Sequence, residues 1–156
     1  EKISWLNRNN FKRKLQIRQL SQRLDSTIKI YFDNQKAQQQ SIVFYQVVQT
    51  ANKLASSHYK NKSLIVASDL QENQPGRFSC FNLNDMQLLK ENPKMVERIL
   101  IQDMQVKDLH GIHIIITHNS RSIRDDIYYH SMESVYRTFF LNHNATIEFV
   151  NNFNNN

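Results

Sequence analysis

Two carboxylates three positions apart, Asp69 and Glu72, are the most site-like pair in the chain. They follow directly on an apolar, partly β-branched run at 63–67, within the stretch KSLIVASDLQENQP. Such a run reads as a strand buried on both faces. A carboxylate at the carboxyl end of a buried strand sits where open α/β sheets bind ligands. The pair can therefore make a metal or partner contact, or simply accept backbone N–H groups of its own loop. No neighbouring nucleophile or oxyanion donor turns it into an acid–base pair.

Three histidines, His110, His113 and His118, have the look of a metal cluster. Strand geometry separates them, because His113 and His118 lie an odd number of residues apart and point to opposite faces. His118, at the end of its strand, is left as a candidate for the same edge as Asp69. Ser68, Asp69 and His118 lack the Gly-x-Ser-x-Gly elbow of a hydrolase. Cys80 is the only cysteine, so the chain holds neither a disulfide nor a thiolate metal site, and Cys80 reads as a small apolar residue. With two glycines, Gly76 and Gly111, neither a dinucleotide fingerprint nor a P-loop can be built.

Charge is unevenly placed. Residues 1–24 hold seven of the 20 basic residues and one of the 14 acidic ones, and so account for the whole net charge of +6. Lys12, Arg13, Lys14 and Arg18, with Arg23, form a basic cluster that suits nucleic-acid phosphates or an acidic partner, or is a solvated helix face. Only Trp5 and Phe11 lie near it for base stacking. No apolar run approaches the roughly 20 residues of a membrane-spanning helix. The chain begins at Glu1 without a methionine, which reads as a fragment of a longer protein, with one domain over 1–150 and a polar tail at 151–156.

The elements that must position these residues follow from periodicity and caps. A helix is predicted over 11–24 and a strand over 27–32, then a polar loop over 33–40. Ser41 is placed to cap a helix over 42–57. After the strand at 63–67, residues 77–83 read as an extended crossing or a short strand, and Asn84-Asp85 as the cap of a short helix through Lys90. Asn92-Pro93 starts another helix, closed by Gly111, with Val96, Ile99, Leu100, Met104 and Val106 inward. A strand over 112–117 follows, then a loop over 119–124 and a helix over 125–142. Ile127, Met132, Val135 (or Tyr136) and Phe139 face inward on that helix, and a last strand spans 145–150. This alternation predicts an α/β fold: a doubly wound, mainly parallel sheet with right-handed crossovers and helices on both faces. Loops 33–40, 69–80 and 118–125 then emerge together at one edge, which favours loop-borne recognition.

Four stretches resemble a von Willebrand factor A-like domain of divergent bacterial type, over roughly residues 11–150. TIKIYF is similar to the family's second strand and SIVFYQVVQTA to the helix that commonly begins with Thr or Ser. SLIVASDLQE resembles the strand ending in Ser/Thr-Asp-Gly, with Leu70 in place of the glycine, and VYRTFFLNHNATIEFV the closing helix and strand, with Asn144-Ala145 for Gly-Ala. The Asp-x-Ser-x-Ser motif of the first strand, which supplies most metal ligands, is missing from this chain. The resemblance implies a Rossmann-like three-layer sandwich and a non-catalytic module that binds a protein partner through its carboxyl-edge loops. It assigns Asp69 and Ser41 to outer metal-ligand positions. One carboxylate and one hydroxyl are too few for Mg²⁺, so a metal, or a metal-dependent hydrolase activity, requires residues upstream of Glu1. Asp69, Glu72, Ser41 and His118 are the expected partner-binding residues, with nucleic-acid binding by the basic helix as the alternative.

Overall fold

The computed structural model describes residues 12–19, 21–23, 26, 40–118 and 122–151. The expected strand at 27–32, the loop through 39, the side chains of Trp5 and Phe11 and the tail beyond 151 lie outside the described residues. The chain divides into two units, residues 1–38 and 39–156. In the first, residues 12–19 and 21–23 are helical, and Lys12, Arg13, Lys14 and Arg18 are all exposed.

The second unit is α/β. Its sheet has three strands, β1 (Lys62–Ala67), β4 (Ile112–His118) and β5 (Thr146–Asn151), in the order β1-β4-β5, and both pairings are parallel. Register aligns Leu64, Ile114 and Ile147 in one row and Val66, Ile116 and Phe149 in the next. With a two-residue period these rows share a face. Ile112, Ile114 and Ile116 on that face are at most 1% exposed.

The reading of 63–67 as a strand buried on both faces is corrected by this order. β1 is an edge of the described sheet, its residues alternate between half-buried and exposed, and Ile65 is 64% exposed. The middle position belongs to β4. Its isoleucine run saturates one face and leaves His113, Ile115 and Thr117 half-buried on the other.

Before β1 comes α1 (Val43–Ala55), which buries Phe44, Val47, Val48 and Ala51. Between β1 and β4 lie a two-stranded antiparallel hairpin, β2 (Asn73–Gln74) and β3 (Phe78–Ser79), then α2 (Leu83–Glu91) and α3 (Pro93–Ile101). The hairpin turn places Gly76 at φ +82°, a conformation glycine adopts without steric cost. The cap of α2 is Asn82 rather than Asn84-Asp85: its Oδ1 accepts from the N–H groups of Asn84 and Asp85. Asn92 and Pro93 start α3 as expected, with Asn92 accepting from Met95 N at 3.1 Å.

The α3 helix ends at Ile101, well short of Gly111. Met104 and Val106 reach the core from an irregular stretch instead. Asn52 of α1 holds that stretch, donating to Gln105 O and accepting from Lys107 N, each at 2.9 Å.

The last helix, α4 (Ile123–Asn142), is capped by Ser122 and carries Asp125 and Asp126 at its positive end. Its buried side is Tyr128, Tyr129, Met132, Val135, Tyr136, Phe139 and Phe140. Ile127, expected inward, is 56% exposed. At about 100° per residue it lies roughly 140° around the helix from Met132, and the aromatic residues take the inner face.

Both crossovers, β1 to β4 and β4 to β5, step the same way along the sheet. Right-handed connections therefore bring α3 and α4 to the same side. There Phe44 of α1 meets Tyr136 and Phe139 of α4 edge-on, with ring centroids 4.9 and 5.0 Å apart. Among the described residues, no helix is long and apolar enough to cross a membrane.

Candidate functional site

The polar residues singled out in the sequence collect where the chain leaves β1. Ser68 N still follows the sheet, donating to Thr117 O at 3.0 Å, and Ser68 Oγ accepts from Leu70 N at 3.0 Å. Asp69 is exposed, and its Oδ1 accepts from Gln71 N at 3.1 Å, so this carboxylate serves its own turn. Leu70, at the position where the resembled family has glycine, takes φ +57° while its side chain is fully buried. Gln71 then reaches across to the start of α4, its Nε2 donating to Asp125 Oδ1 at 3.3 Å.

Glu72 turns inward and has no solvent exposure. Its Oε1 accepts from Phe44 N, in the first turn of α1, and its Oε2 accepts from Gln74 Nε2 at 2.9 Å. Burial pushes its pKa up to about 7; the two hydrogen bonds work against that rise, and the charge of Asp69 adds to it. Glu72 thus does what was expected of Ser41. The residue before α1 is Ile42, which offers no side-chain cap, whereas Ser41 pairs through its backbone with Asn73, at 3.1 and 2.9 Å. The reason is tertiary. The hairpin carries residues 72 and 73 to the amino end of α1, where a carboxylate meets both a free N–H and the positive end of the helix.

Two further groups face this carboxylate. Cys80, fully buried, donates its backbone N–H to Glu72 O at 2.8 Å, and its thiol is pushed up to about 12 by burial and then by the charges of Glu72, Asp69 and Asp85. A thiol held protonated in this way is not a nucleophile at neutral pH, which agrees with Cys80 as an apolar residue. Tyr136 is also fully buried. Burial, followed by the charges of Glu72, Cys80 and Asp69, raises its hydroxyl well above the usual range, and that hydroxyl has no hydrogen-bond partner among the described residues.

The histidines separate as strand geometry requires. His118 is 9% exposed and stacks on Tyr129 with centroids 4.6 Å apart; neither its Nε2 nor the Tyr129 hydroxyl finds a partner among the described residues. His113, on the opposite face, contacts Thr146 Oγ1 through Nδ1 at 2.9 Å and lies 3.6 Å from Glu148. His110 sits in the exposed turn before β4, its N–H given to Asp108.

Of the two outer ligand positions, Asp69 has one oxygen engaged in its turn and Ser41 is held through its backbone by Asn73, and among the described residues no group of three His, Cys, Asp or Glu is placed to hold a metal. The basic residues Lys12, Arg13, Lys14 and Arg18 belong to the first unit.

A further feature escaped the sequence reading. A groove of about 540 Å³ runs between α2 and the first half of α4, with Phe81, Leu83 and Ile127 on its walls at 57%, 86% and 56% exposure. Its signal in the sequence is Leu83 directly after Asn82, the residue that caps α2, and Ile127 directly after the acids in the first turn of α4. Comparison with protein-family models, with curated proteins and with solved structures finds no match to this chain.

Proposed function

We propose that the chain is a non-catalytic protein-interaction module of von Willebrand factor A-like type, which holds a partner at the carboxyl edge of its sheet. The observation that carries this reading is the contrast between two sets of side chains. The polar groups near the end of β1 are engaged in building the edge: Glu72 with the first turn of α1, Asp69 in its own turn, Gln71 with Asp125. Large apolar side chains in the segments that follow the strand ends, Phe81, Leu83 and Ile123, are left 57%, 86% and 82% exposed. Exposed apolar groups bordered by polar ones mark interaction surfaces. In this reading Asp69 contacts the partner, while Glu72, Ser41 and His118 set the shape of the edge from beneath. The finer architecture belongs to the same proposal: a doubly wound sandwich in which α1, α3 and α4 form the layer on one sheet face.

Site-specific photo-crosslinking tests it. A crosslinker at Asp69 or Gln71 is expected to trap a protein partner in the source cell, and one at His110, before the amino end of β4, is not. Absence of protein adducts from both edge positions overturns the reading. The exposed basic residues at 12–14 and 18 favour a second reading, nucleic-acid association through the first unit. It requires binding to DNA or RNA that weakens steeply with salt, and salt-independent or absent binding removes it.

A further inference from the structure

We infer that the groove between α2 and the first half of α4 receives an amphipathic helix of a partner protein that carries acidic residues beside its apolar stripe. This rests on the partner-binding reading and names the surface and the chemistry of the partner.

The walls are two helices, and each presents a stripe at helical spacing. On α4, Ile127, Ser131 and Ser134 line the groove, and Ile123, one turn earlier, extends the stripe at 82% exposure. On α2, Leu83, Met86 and Lys90 do the same. Leu89 and Tyr128, at 3% and 9% exposure, form the apolar floor. Phe81 meets Tyr128 edge-on at 6.1 Å and continues the apolar surface. A trough between two helices is the shape into which a third helix lays apolar side chains spaced three and four apart.

Charge selects the kind of helix. The lining holds one lysine or arginine, Lys90, and no carboxylate. Lys90 makes no ion pair among the described residues. Arg124 lies over Tyr128 at 5.4 Å and donates to its hydroxyl at 2.7 Å, adding a positive charge beside the floor. The nearby Glu133 is already engaged by Arg137 at 2.6 Å and His130 at 3.3 Å. A visiting carboxylate therefore meets Lys90 and Arg124, neither of which is ion-paired among the described residues, and a visiting lysine meets repulsion.

The test is selection of a displayed library of helical peptides against the full chain, followed by affinity measurement of the enriched peptides. Leu83→Ser and Ile127→Ser alter exposed side chains and leave the core intact. The expected result is enrichment of peptides with apolar residues at i, i+4 and i+7 flanked by Asp or Glu. Their affinity should fall by about tenfold or more in either serine variant, as for truncation of an interface anchor. Lys90→Glu should shift the preference toward Lys- or Arg-bearing peptides. Peptides that bind regardless of Leu83 and Ile127 but are lost in Asp69→Asn overturn the groove and leave the edge reading standing. Absence of helical enrichment, with partner adducts still formed from Asp69, does the same. A self-associating chain that Ile127→Ser converts to monomer in sedimentation assigns the groove to a second copy and overturns the inference.

Discussion

Replacing Glu72 by glutamine removes one ionisable group from a side chain with no solvent exposure while keeping an oxygen for the Phe44 N–H. The consequence follows from the direction of its pKa. Folding raises it from the ordinary 4.5 to about 7, so the folded chain binds this proton more tightly than the unfolded chain. Stability from this group is fully present below 4.5, declines as pH rises, is lost through about 7, and is level above that. At about 1.4 kcal/mol per pH unit, the interval between 4.5 and about 7 amounts to roughly 3 kcal/mol. Against the 5–15 kcal/mol typical of a domain, that is a large fraction, and most of it is removed on going from pH 5 to pH 8.

Urea denaturation of the wild type and of Glu72→Gln at pH 5, 6, 7 and 8 measures it. The difference between the two curves matters, because the contributions of all other groups cancel in the subtraction. Relative to the variant, the wild type should lose roughly 3 kcal/mol across the series, and Glu72→Gln should be at least as stable at pH 8. Gln74, which donates to Glu72 Oε2, can turn its amide to offer an oxygen to the new NH₂ group. Glu72→Ala separates the cap from the charge: it leaves the Phe44 N–H unpaired and should be less stable than Glu72→Gln by about 1–3 kcal/mol at pH 5. Parallel pH–stability curves for wild type and Glu72→Gln would refute the reasoning, since burial would then not dominate the carboxylate's proton affinity.

Asn52→Ala should destabilise the chain by about 2 kcal/mol, because it leaves the Gln105 carbonyl and the Lys107 N–H without their partner; faster amide exchange at Lys107 checks the cause. At Leu70, glycine and alanine both lose a fully buried side chain, but only glycine relieves the cost of φ +57°. Leu70→Gly should therefore be the more stable of the two by about 1 kcal/mol in chemical denaturation, although both fall below wild type. His118→Phe keeps the stack on Tyr129 and removes a buried nitrogen that has no partner among the described residues. Its stability should stay within about 1 kcal/mol of wild type, and a larger loss would show that Nε2 is satisfied in solution.

These predictions fall where local reading of the sequence and tertiary structure part company. The signals that worked were local ones. Asn92-Pro93 marks the start of α3 because both residues act within one turn of where they stand. The run at 112–117 reads as a strand because β-branched residues dominate it, and the opposite facing of His113 and His118 follows from a period of two. The signals that failed depend on partners far along the chain. Ser41 has the right residue type for a cap, yet the acceptor comes from Glu72, 28 residues from the Phe44 N–H it serves. The run 63–67 is apolar enough for a central strand, but strand order puts it at the described edge and leaves Ile65 exposed. Position in a sheet is not encoded in the strand itself.

Leu70 makes the same point about the site. A glycine would have announced the left-handed turn after Asp69, and leucine conceals it. A side chain with no exposure contributes about 1.5–3 kcal/mol of burial, which offsets a backbone cost of about 1–2 kcal/mol, so the fold tolerates there a residue whose local preference points elsewhere. Glu72 shows the converse. Its spacing from Asp69 allows a pair that faces a ligand or one that accepts backbone N–H groups, and in the structure one carboxylate is exposed and the other wholly buried. Once the chain has turned at Leu70, the side chain at 72 has α1 in front of it, and an unpaired N–H at a helix end is a nearer partner than anything in solvent. A carboxylate pair read from spacing alone therefore locates the carboxyl end of β1, and tertiary structure alone decides that Asp69 serves its own turn while Glu72 serves α1.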